Sequence, residues 1–392
     1  MNPEPRAERG NPRGSSRRWG ICLSILAVLV IFGMATYAVA SARSADVEEI
    51  ATGLLNPRGL TMGPDGMLYV AEAGSGGNRT VRAGKDQITY RVGRTAGITR
   101  IAPDGTATRV LTGLPSVRTP DDVFGATGVA FLGNDLYVLT AAGGRNVGDP
   151  SFDNAVLKMN PDGSTQMIAN LTQFNLSAPP KARQLDVRAD VEGGVPYGLT
   201  AWNGKLYATD GNLETLTEIS TNGEMKRLLE YPASDHVLVG IAPDGAGALL
   251  VAEYGPWPHT PGIAYVSRVT LDGDQSVAWP GLNTPIDLRV APDGSVFLAE
   301  FSAGRRERST ARVLRRTRDG TVEVVAAGLN YLTGLALAPD GDVYVSESGH
   351  RSDDGTGRVM RIVPSSAAAR ALLATRDRFA WMWGGQRAQP GI

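Results

Sequence analysis

The sequence predicts an all-β protein, a six-bladed β-propeller of four-stranded antiparallel blades. A unit containing a Pro-Asp-Gly turn or a close variant of it recurs along the chain after residue 46. Each unit carries Asp-Gly or Asn-Gly pairs, which favour tight β-hairpins. Glycine is abundant, at 48 of 392 residues, whereas aromatic residues make up 6%. Two hairpins in a unit give four strands, which is one propeller blade.

The number of blades follows from the hairpin turns. The first hairpin of a unit turns at six places: Asp65-Gly66, Asn134-Asp135, Asn203-Gly204, Asp244-Gly245, Asp293-Gly294 and Asp340-Gly341. A second hairpin follows in five of the units, at Asp104-Gly105, Asp162-Gly163, Asn222-Gly223, Asp272-Gly273 and Asp319-Gly320. These turns predict six blades over residues 46–364. A tandem of two smaller domains is the alternative, and the even spacing of the repeat disfavours it.

The last unit lacks a clear fourth strand, because Val359–Val363 leads directly into Pro364. Residues 47–54 resemble the outer strands at 109–114 and 324–329, each of which ends in Gly-Leu. We therefore expect residues 47–54 to pair with the last blade. Such pairing would close the ring and remove two exposed sheet edges.

Three insertions and a tail interrupt the regular pattern. The insertions span residues 73–97 in blade 1, residues 141–153 in blade 2 and residues 172–195 between blades 2 and 3. Long loops in a compact domain are usually functional or mobile. Residues 365–392 form a basic tail, which we expect to be helical or disordered.

Residues 1–45 have the features of a signal peptide or membrane anchor. Five arginines precede an uncharged stretch from Ile21 to Ala40, and small residues follow at Ala38–Ala42. Both alternatives place the rest of the chain outside the cytoplasmic membrane, in the periplasm or extracellular space. Cys22, the single cysteine, lies in this segment, so the exported part contains no disulfide.

The charge balance limits the partners. The formal net charge is −1, which disfavours a nucleic-acid-binding surface, because such surfaces are strongly basic. We expect a monomer that binds a small molecule or a surface protein and that meets the membrane only through its N-terminal segment.

Two segments resemble the ScyD/ScyE family, whose name comes from proteins of the scytonemin gene cluster. The first is Ala51–Leu60 with Gly63–Gly66 and Tyr69–Gly74, and the second is Val195–Leu199 with Tyr207–Asn212. The resemblance covers about residues 47–363. It implies an exported six-bladed propeller of NHL-like repeats with an extracytoplasmic role, beside secondary metabolism.

Five acidic residues occupy one position of the repeat, the end of the second strand: Glu72, Asp210, Glu253, Glu300 and Glu347. Equivalent positions of a ring surround one axis, so these residues are candidates for a carboxylate ring at the channel mouth. Several carboxylate oxygens suit Ca²⁺, which is the one candidate cofactor. The alternative is that each carboxylate accepts hydrogen bonds from backbone amides of its own or the next blade.

Other candidates depart from the repeat where the first strands begin. Asp287 replaces an expected glycine, and Arg58 and Tyr197 are polar where the equivalents are apolar. His259 and His350 follow second strands and lie near the same end of the repeat. These five are the candidate ligand-binding residues, and Asp287 and His350 are the catalytic candidates. For Arg58, an ion pair with Glu72 or Glu347 is the structural alternative.

Three functions fit these features. The first is a ligand-binding or partner-binding propeller that uses its channel mouth and inserted loops. The second is a Ca²⁺-assisted enzyme that uses the carboxylates, Asp287 and His350. The third is a protein-interaction platform. A metal at the channel mouth would favour the enzyme, whereas a channel mouth closed by ion pairs would favour interaction.

Overall fold

Six antiparallel sheets form the blades of the propeller, as the repeat predicts. The structure is a computed structural model that describes residues 45–83, 88–143, 147–180, 193–231, 237–256, 258–303, 307–350 and 355–364. The predicted N-terminal segment, apart from residue 45, and the predicted tail lie outside these residues. No helix among the described residues is long and apolar enough to cross a bilayer.

The strands follow the chain blade by blade. The N-terminal strand is β1 (Asp46–Leu54). Blade 1 contains β2 (Pro57–Met62), β3 (Leu68–Glu72), β4 (Arg79–Ala83), β5 (Ile88–Ile101), β6 (Ala107–Arg118) and β7 (Val123–Phe124). Blade 2 contains β8 (Ala126–Leu132), β9 (Asp135–Thr140), β10 (Ala155–Met159) and β11 (Thr165–Asn170), and α1 (Leu171–Ser177) follows it.

The remaining blades are regular. Blade 3 contains β12 (Pro196–Trp202), β13 (Lys205–Asp210), β14 (Thr215–Ile219) and β15 (Met225–Glu230). Blade 4 contains β16 (Leu238–Pro243), β17 (Ala248–Glu253), β18 (Ala264–Thr270) and β19 (Gln275–Leu282). Blade 5 contains β20 (Pro285–Val290), β21 (Val296–Glu300), β22 (Ala311–Arg316) and β23 (Val322–Leu329), and blade 6 contains β24 (Gly334–Leu337), β25 (Val343–Glu347) and β26 (Gly357–Val363).

The innermost strands close a ring around the axis. β2 packs against β8, β8 against β12, β12 against β16, β16 against β20, β20 against β24 and β24 against β2. Apolar side chains fill the layers between neighbouring sheets, and every residue of β17 is buried. Burial of this apolar surface is the main stabilising contribution, since the described residues contain no disulfide.

The N-terminal strand completes blade 6, as predicted from its sequence. β1 pairs with β26 in antiparallel register from Asp46 opposite Val363 to Leu54 opposite Gly357. An ion pair between Arg358 and Glu49, at 3.2 Å, adds to the backbone hydrogen bonds. The two ends of the described chain are therefore joined in one sheet.

Blade 1 departs from the expected four strands, because much of its insertion is itself a sheet. β5 and the end of β6 continue beyond β3, and β4 pairs with the first half of β5. We call β4, residues 88–94 and residues 115–118 the blade-1 extension. Its apolar face packs on the blade-2 insertion through a small core: Tyr90, Val92 and Val117 against Ala142, Val147 and Phe152.

Removing β1 tests the closure of the ring. A chain that begins at residue 56 would leave β26 as an exposed sheet edge, and such edges promote association between chains. We expect a lower melting temperature and oligomers in size-exclusion chromatography. A chain that begins at residue 45 is the control and should remain monomeric with unchanged melting. Equal melting of the two chains would contradict the closure.

Candidate functional site

The candidate residues lie at one end of the ring, where each innermost strand begins and each second strand ends. We call this end the top face. It carries the blade-1 extension and the loops that follow β17, β21 and β25. The opposite end carries the tight hairpin turns, including Asp104-Gly105 and Asp272-Gly273.

A buried arginine, an aspartate and a histidine meet at the top of the axis. Arg58 Nη2 donates to Asp122 Oδ1 at 2.6 Å and to the carbonyl oxygen of Val123 at 2.8 Å. His350 Nδ1 lies 3.1 Å from the same Asp122 oxygen. Only 10% of the His350 side chain is exposed. Three distant parts of the chain are therefore tied together at this point.

Electrostatics keep Arg58 and Asp122 ionised. Burial alone would raise the pKa of Asp122, but the positive charge of Arg58 and the hydrogen bond from His350 outweigh it, so the pKa lies well below the usual range. Burial opposes the charge of Arg58, whereas Asp122 and Tyr197 favour it and raise the pKa of its guanidinium. Because Asp122 is a carboxylate, the Nδ1 atom of His350 carries the proton that it shares with Asp122. The Nε2 atom of His350 is buried and has no hydrogen-bond partner among the described residues.

Tyr197 crosses the channel below this cluster. It begins in blade 3, and its hydroxyl donates to the carbonyl oxygen of Thr333 in blade 6 at 3.0 Å. Burial raises the pKa of Tyr197, and the nearby Arg58 only partly opposes this effect. Tyr197 is therefore a neutral hydrogen-bond donor that bridges opposite sides of the ring.

Asp287 lines the channel beside Tyr197. Its carboxylate accepts from Arg289 Nη1 at 2.6 Å, from Leu288 N at 2.8 Å and from Leu335 N at 2.9 Å. Burial raises the pKa of Asp287, and Arg289 opposes the rise. A Cβ atom at Gly240 would approach the Asp287 Cα to 2.4 Å, so a glycine in blade 4 makes room for this aspartate.

The channel itself is narrow. Its void measures about 10 Å³, and Gly59, Thr127, Tyr197, Asp287 and Arg289 are among the residues that line it. Pockets for small organic ligands usually occupy about 300–1,000 Å³. Because Tyr197 and the Arg58 cluster fill the top of the axis, the channel offers little room for such a ligand.

The five repeat acids do not form a carboxylate ring. Four of them accept the backbone N–H of the segment that enters their own blade: Leu55 N to Glu72 at 2.6 Å, Val195 N to Asp210 at 3.0 Å, Asn283 N to Glu300 at 2.7 Å, and Asn330 N to Glu347. Glu253 instead accepts from Tyr231 and Gln275, at 2.8 and 3.1 Å, and from Ser267. Each acid is thus used within its own part of the ring.

Arginines on the third and fourth strands neutralise three of these acids. Arg109 pairs with Glu72 at 2.8 Å, Arg312 with Glu300 at 2.5 Å and Arg358 with Glu347 at 2.6 Å. No group of three acidic, histidine or cysteine side chains that could hold a metal occurs in the described part of the chain. The structural alternative from the sequence, hydrogen bonding to backbone amides, accounts for their geometry.

A row of rings connects His350 to the second candidate histidine. Phe301 contacts His350 edge-on, with ring centroids 5.4 Å apart, and stacks on Tyr331 at 5.1 Å. Tyr254 contacts Phe301 at 6.0 Å and His259 at 4.8 Å. His259 is buried and lies at the far end of this row. The row forms an apolar support under the loops of blades 4 to 6.

The structure brings Arg58, Tyr197, Asp287 and His350 together near the axis and leaves His259 apart from them. The partner of Arg58 is Asp122, and not Glu72 or Glu347. Asp122 and Arg289 were missed, because neither interrupts the repeat in a way that marks it. The one signal for Asp122 was its position in an irregular segment, Thr119–Asp122, which connects β6 to β7.

Replacing Asp122 with Asn tests the buried ion pair. Arg58 would remain buried without a counter-ion, and we expect a loss of about 3 kcal/mol in unfolding free energy at pH 7. Since the pKa of Asp122 is depressed in the folded protein, this loss should shrink as the pH falls below about 4. Asp135→Asn is the control, because its pair with Lys158 is solvent-exposed and should contribute less than about 1 kcal/mol. If urea unfolding gave the same loss of unfolding free energy for Asp122→Asn and Asp135→Asn, the buried Arg58–Asp122 ion pair would be contradicted.

Asp210 should show the opposite pH dependence. Burial raises its pKa from 3.8 to about 6, against the hydrogen bonds from Leu213, Val195 and Asn212. The folded protein holds the Asp210 proton more tightly than the unfolded chain does. This group therefore adds to the unfolding free energy below pH 4, and that contribution, up to about 3 kcal/mol, is lost as the pH rises from 4 through 6. All three N–H groups donate to Oδ1, which Asp210→Asn preserves.

We therefore expect the unfolding free energy of Asp210→Asn to increase relative to that of the wild type as the pH rises from 4 to 7. Urea unfolding across this range measures the difference between the two proteins. A difference that does not change with pH would contradict the raised pKa.

Comparison with known proteins supports the fold alone. Neither a protein-family model nor a curated protein matches the sequence. Similar solved structures include a protein described as a glucose dehydrogenase from Thermus thermophilus, with 18% identity, a TM-score of 0.51, and coverage of 81% of this chain and 100% of that chain.

Two further structures show the same level of similarity. The PQQ-bound aldose sugar dehydrogenase of Streptomyces coelicolor has 17% identity, a TM-score of 0.51, and coverage of 82% of this chain and 98% of that chain. A gluconolactonase of Xanthomonas campestris has 12% identity, a TM-score of 0.52, and coverage of 82% and 90%. The chain shares the six-bladed propeller fold with these proteins.

Proposed function

We propose that this protein is an exported binding propeller of the ScyD/ScyE type, which recognises a small molecule or a surface partner through its top face. The observation that carries this proposal is the closed axis. Arg58, Asp122 and His350 are joined at the channel mouth, and Tyr197 bridges the channel to Thr333. A channel closed in this way supports recognition on the surface over chemistry inside the ring.

The inserted segments provide that surface. The blade-1 extension packs on the blade-2 insertion through its own small core, in which Tyr90 and Phe152 are buried. Arg94 lies over the Phe152 ring at 5.1 Å and donates to Ser151 at 2.7 Å. Two insertions fixed to each other form a rigid platform, and a preorganised platform loses less entropy when it binds.

Export follows from the sequence features at the N-terminus. A basic segment followed by an uncharged stretch from Ile21 to Ala40 is typical of a signal peptide or anchor. The resemblance to the ScyD/ScyE family implies the same location and a role beside secondary metabolism. A domain of this size needs no disulfide for stability, which fits its lack of cysteine beyond Cys22.

An enzyme is the second candidate, and one observation favours it. Asp122 orients His350 through Nδ1, which is how a carboxylate positions a histidine that acts as a general base. Asp287, the other catalytic candidate, is held by Arg289 and two backbone amides. His350 Nε2 is buried, so a substrate would reach it only after the top-face loops move.

Site-specific photo-crosslinking tests the use of the top face. A photoreactive amino acid at Thr89 or Thr260, both exposed on that face, should give discrete adducts in intact cells. The same amino acid at Asn222 or Asp272, in exposed turns of the opposite face, should give none. Adducts only from the opposite face, or from neither face, would overturn the proposal.

Two further measurements in the same cells test the exported location and the enzyme alternative. Val277 is 57% exposed, so a cysteine introduced there should react with a membrane-impermeant maleimide if the propeller is exported. Adducts that depend on the platform alone should survive His350→Gln, whereas a complex that depends on substrate bound at His350 and Asp122 should be lost. Protection of the Val277→Cys thiol in intact cells would contradict export.

A further inference from the structure

The two ends of the propeller leave the fold at one point of the opposite face. Asp46, the first residue of β1, lies directly opposite Val363, the last residue of β26. Ile362 in turn pairs with Val343, which follows the hairpin turn at Asp340-Gly341. Residues directly opposite in antiparallel strands have Cα atoms about 5 Å apart. The N-terminal segment and the C-terminal tail are therefore attached side by side, at the end of the ring away from the top face.

The N-terminal segment brings this point close to a membrane. Its uncharged stretch, Ile21–Ala40, has the length that spans a bilayer, which is about 20 residues. Only residues 41–45 separate this stretch from β1. Five extended residues reach about 18 Å. A retained anchor would therefore hold the start of β1, and with it the start of the tail, within that distance of the lipid.

The tail that starts beside this point is both basic and aromatic. Residues 365–392 contain four arginines and one aspartate, with no lysine or glutamate. Arg370, Arg376 and Arg378 precede the stretch Phe379–Trp383, which reads Phe-Ala-Trp-Met-Trp. The whole chain has six tryptophans, and two of them are in this stretch. We call residues 370–383 the basic aromatic segment.

The propeller does not need these aromatic residues for its core. Blade 6 already has four strands, in the order β1, β26, β25 and β24. Two other tryptophans pack within the blades: Trp279 is buried, and Trp202 contacts the ring of Tyr207 at 6.0 Å. The rings of Phe379–Trp383 come after the last strand of a complete fold. They therefore call for a different apolar environment.

A groove beside the start of the tail is too small for these rings. It lies between blades 6 and 1, and Ile50, Met62, Leu68 and Tyr344 are among the residues that line it. Its void measures about 20 Å³, which is room for about one water molecule. An indole ring does not fit into this space. The groove therefore does not explain the aromatic residues of the tail.

The charge of the opposite face does not explain the segment either. Asp65, Asp104 and Asp340 are exposed in hairpin turns around the groove. Ion pairs between such exposed carboxylates and the arginines of the tail would contribute little and would be screened by salt. The same aspartates would repel an anionic surface. A contact with anionic lipid would therefore be made by the tail, with the face of the propeller held away from the headgroups.

We propose that the basic aromatic segment binds the surface of an anionic phospholipid membrane, beside the N-terminal segment. Arginines attract anionic headgroups, and tryptophan rings prefer the boundary between headgroups and acyl chains. This contact is additional to the one expected from the N-terminal segment, so it would also hold a propeller that is cleaved near Ala42. The proposal rests on the proposed function, since it takes the propeller to be exported and leaves the top face open to its partner.

The position of the tail favours lipid over a protein as the partner. Tryptophan and arginine also serve as anchors in protein interfaces, so composition alone does not separate the two. The pairing of Asp46 with Val363 does, because it attaches the tail next to the segment that enters or crosses the membrane. A membrane is then always within reach of the tail, and binding to it needs no second diffusing molecule.

A nitroxide label in the tail tests the proposal on the full-length chain. The label is attached to Met382→Cys in a Cys22→Ser background, and the protein is reconstituted into vesicles of phosphatidylcholine and phosphatidylglycerol. We expect the label to be shielded from a water-soluble nickel chelate and accessible to oxygen, which dissolves in lipid. A label at Val277→Cys, on an outer strand and 57% exposed, should remain accessible to nickel. Trp381→Ser with Trp383→Ser should return the label at position 382 to water.

The charge of the segment is tested in the same way. Arg376→Gln with Arg378→Gln should lower the ratio of lipid-bound to free label by about tenfold or more at low salt, because two arginines near an anionic surface are lost. Lys226→Gln with Arg318→Gln is the matched control. It removes two exposed positive charges from the opposite face of the propeller and should leave the ratio unchanged. Since the tail follows the last strand, the melting temperature should be the same in all these proteins.

Three results would overturn the proposal. The first is a label at position 382 that stays accessible to nickel in the vesicles. The second is equal shielding without vesicles, which would mean that the tail docks on the propeller or on a second copy. The third is an equal loss in both charge variants, which would mean a non-specific charge effect. If the label stays in water but Thr89 and Thr260 still crosslink in cells, this inference fails and the proposed function stands.

Discussion

One hydrogen bond, repeated around the ring, positions the rest of the structure. A carboxylate at the end of a second strand accepts the backbone N–H of the segment that enters the same blade, as in Glu72 with Leu55 and Glu300 with Asn283. Charge-assisted bonds of this kind are short and strong. In four of the six blades they fix the point at which the innermost strand begins, and therefore the point from which Arg58, Tyr197 and Asp287 reach the axis. The acids act on the site through the backbone.

The top of the axis uses buried charge for rigidity. Arg58 lies on β2 of blade 1, Asp122 in the segment between β6 and β7, and His350 in the loop after the second strand of blade 6. Separating any one of them would leave an uncompensated buried group, which is costly. The first and last blades are thus held together at the top face by side chains, in addition to the β1–β26 pairing. A stable top face is a suitable base for the extension.

The sequence predicted the features that local chemistry determines. The hairpin turns predicted six blades. The likeness between residues 47–54 and the other outer strands predicted that this segment pairs with the last blade and closes the ring. The repeat also identified the acids correctly as equivalent, but equivalence does not say where a side chain points. Asp122 was missed because its role depends on how the chain returns over the axis. The extension was missed although Ile88, Tyr90 and Val92 alternate with polar residues, which is the pattern of a half-buried strand.

The closure of blade 6 has a consequence for synthesis. β1 is made first, but its partner β26 ends at Val363, more than 300 residues later. The sheet edge of β1 stays open until nearly the whole propeller has been translated, and open edges are the usual route to aggregation. The first residues of β1 are Asp46, Val47, Glu48 and Glu49, and all four are exposed. Three negative charges in four residues make this strand a poor partner for a second copy of itself. In the folded protein, Glu49 and Glu48 lie near Arg358 and Arg361 of β26. The negative charges of β1 therefore complement the positive charges of the strand that is translated last.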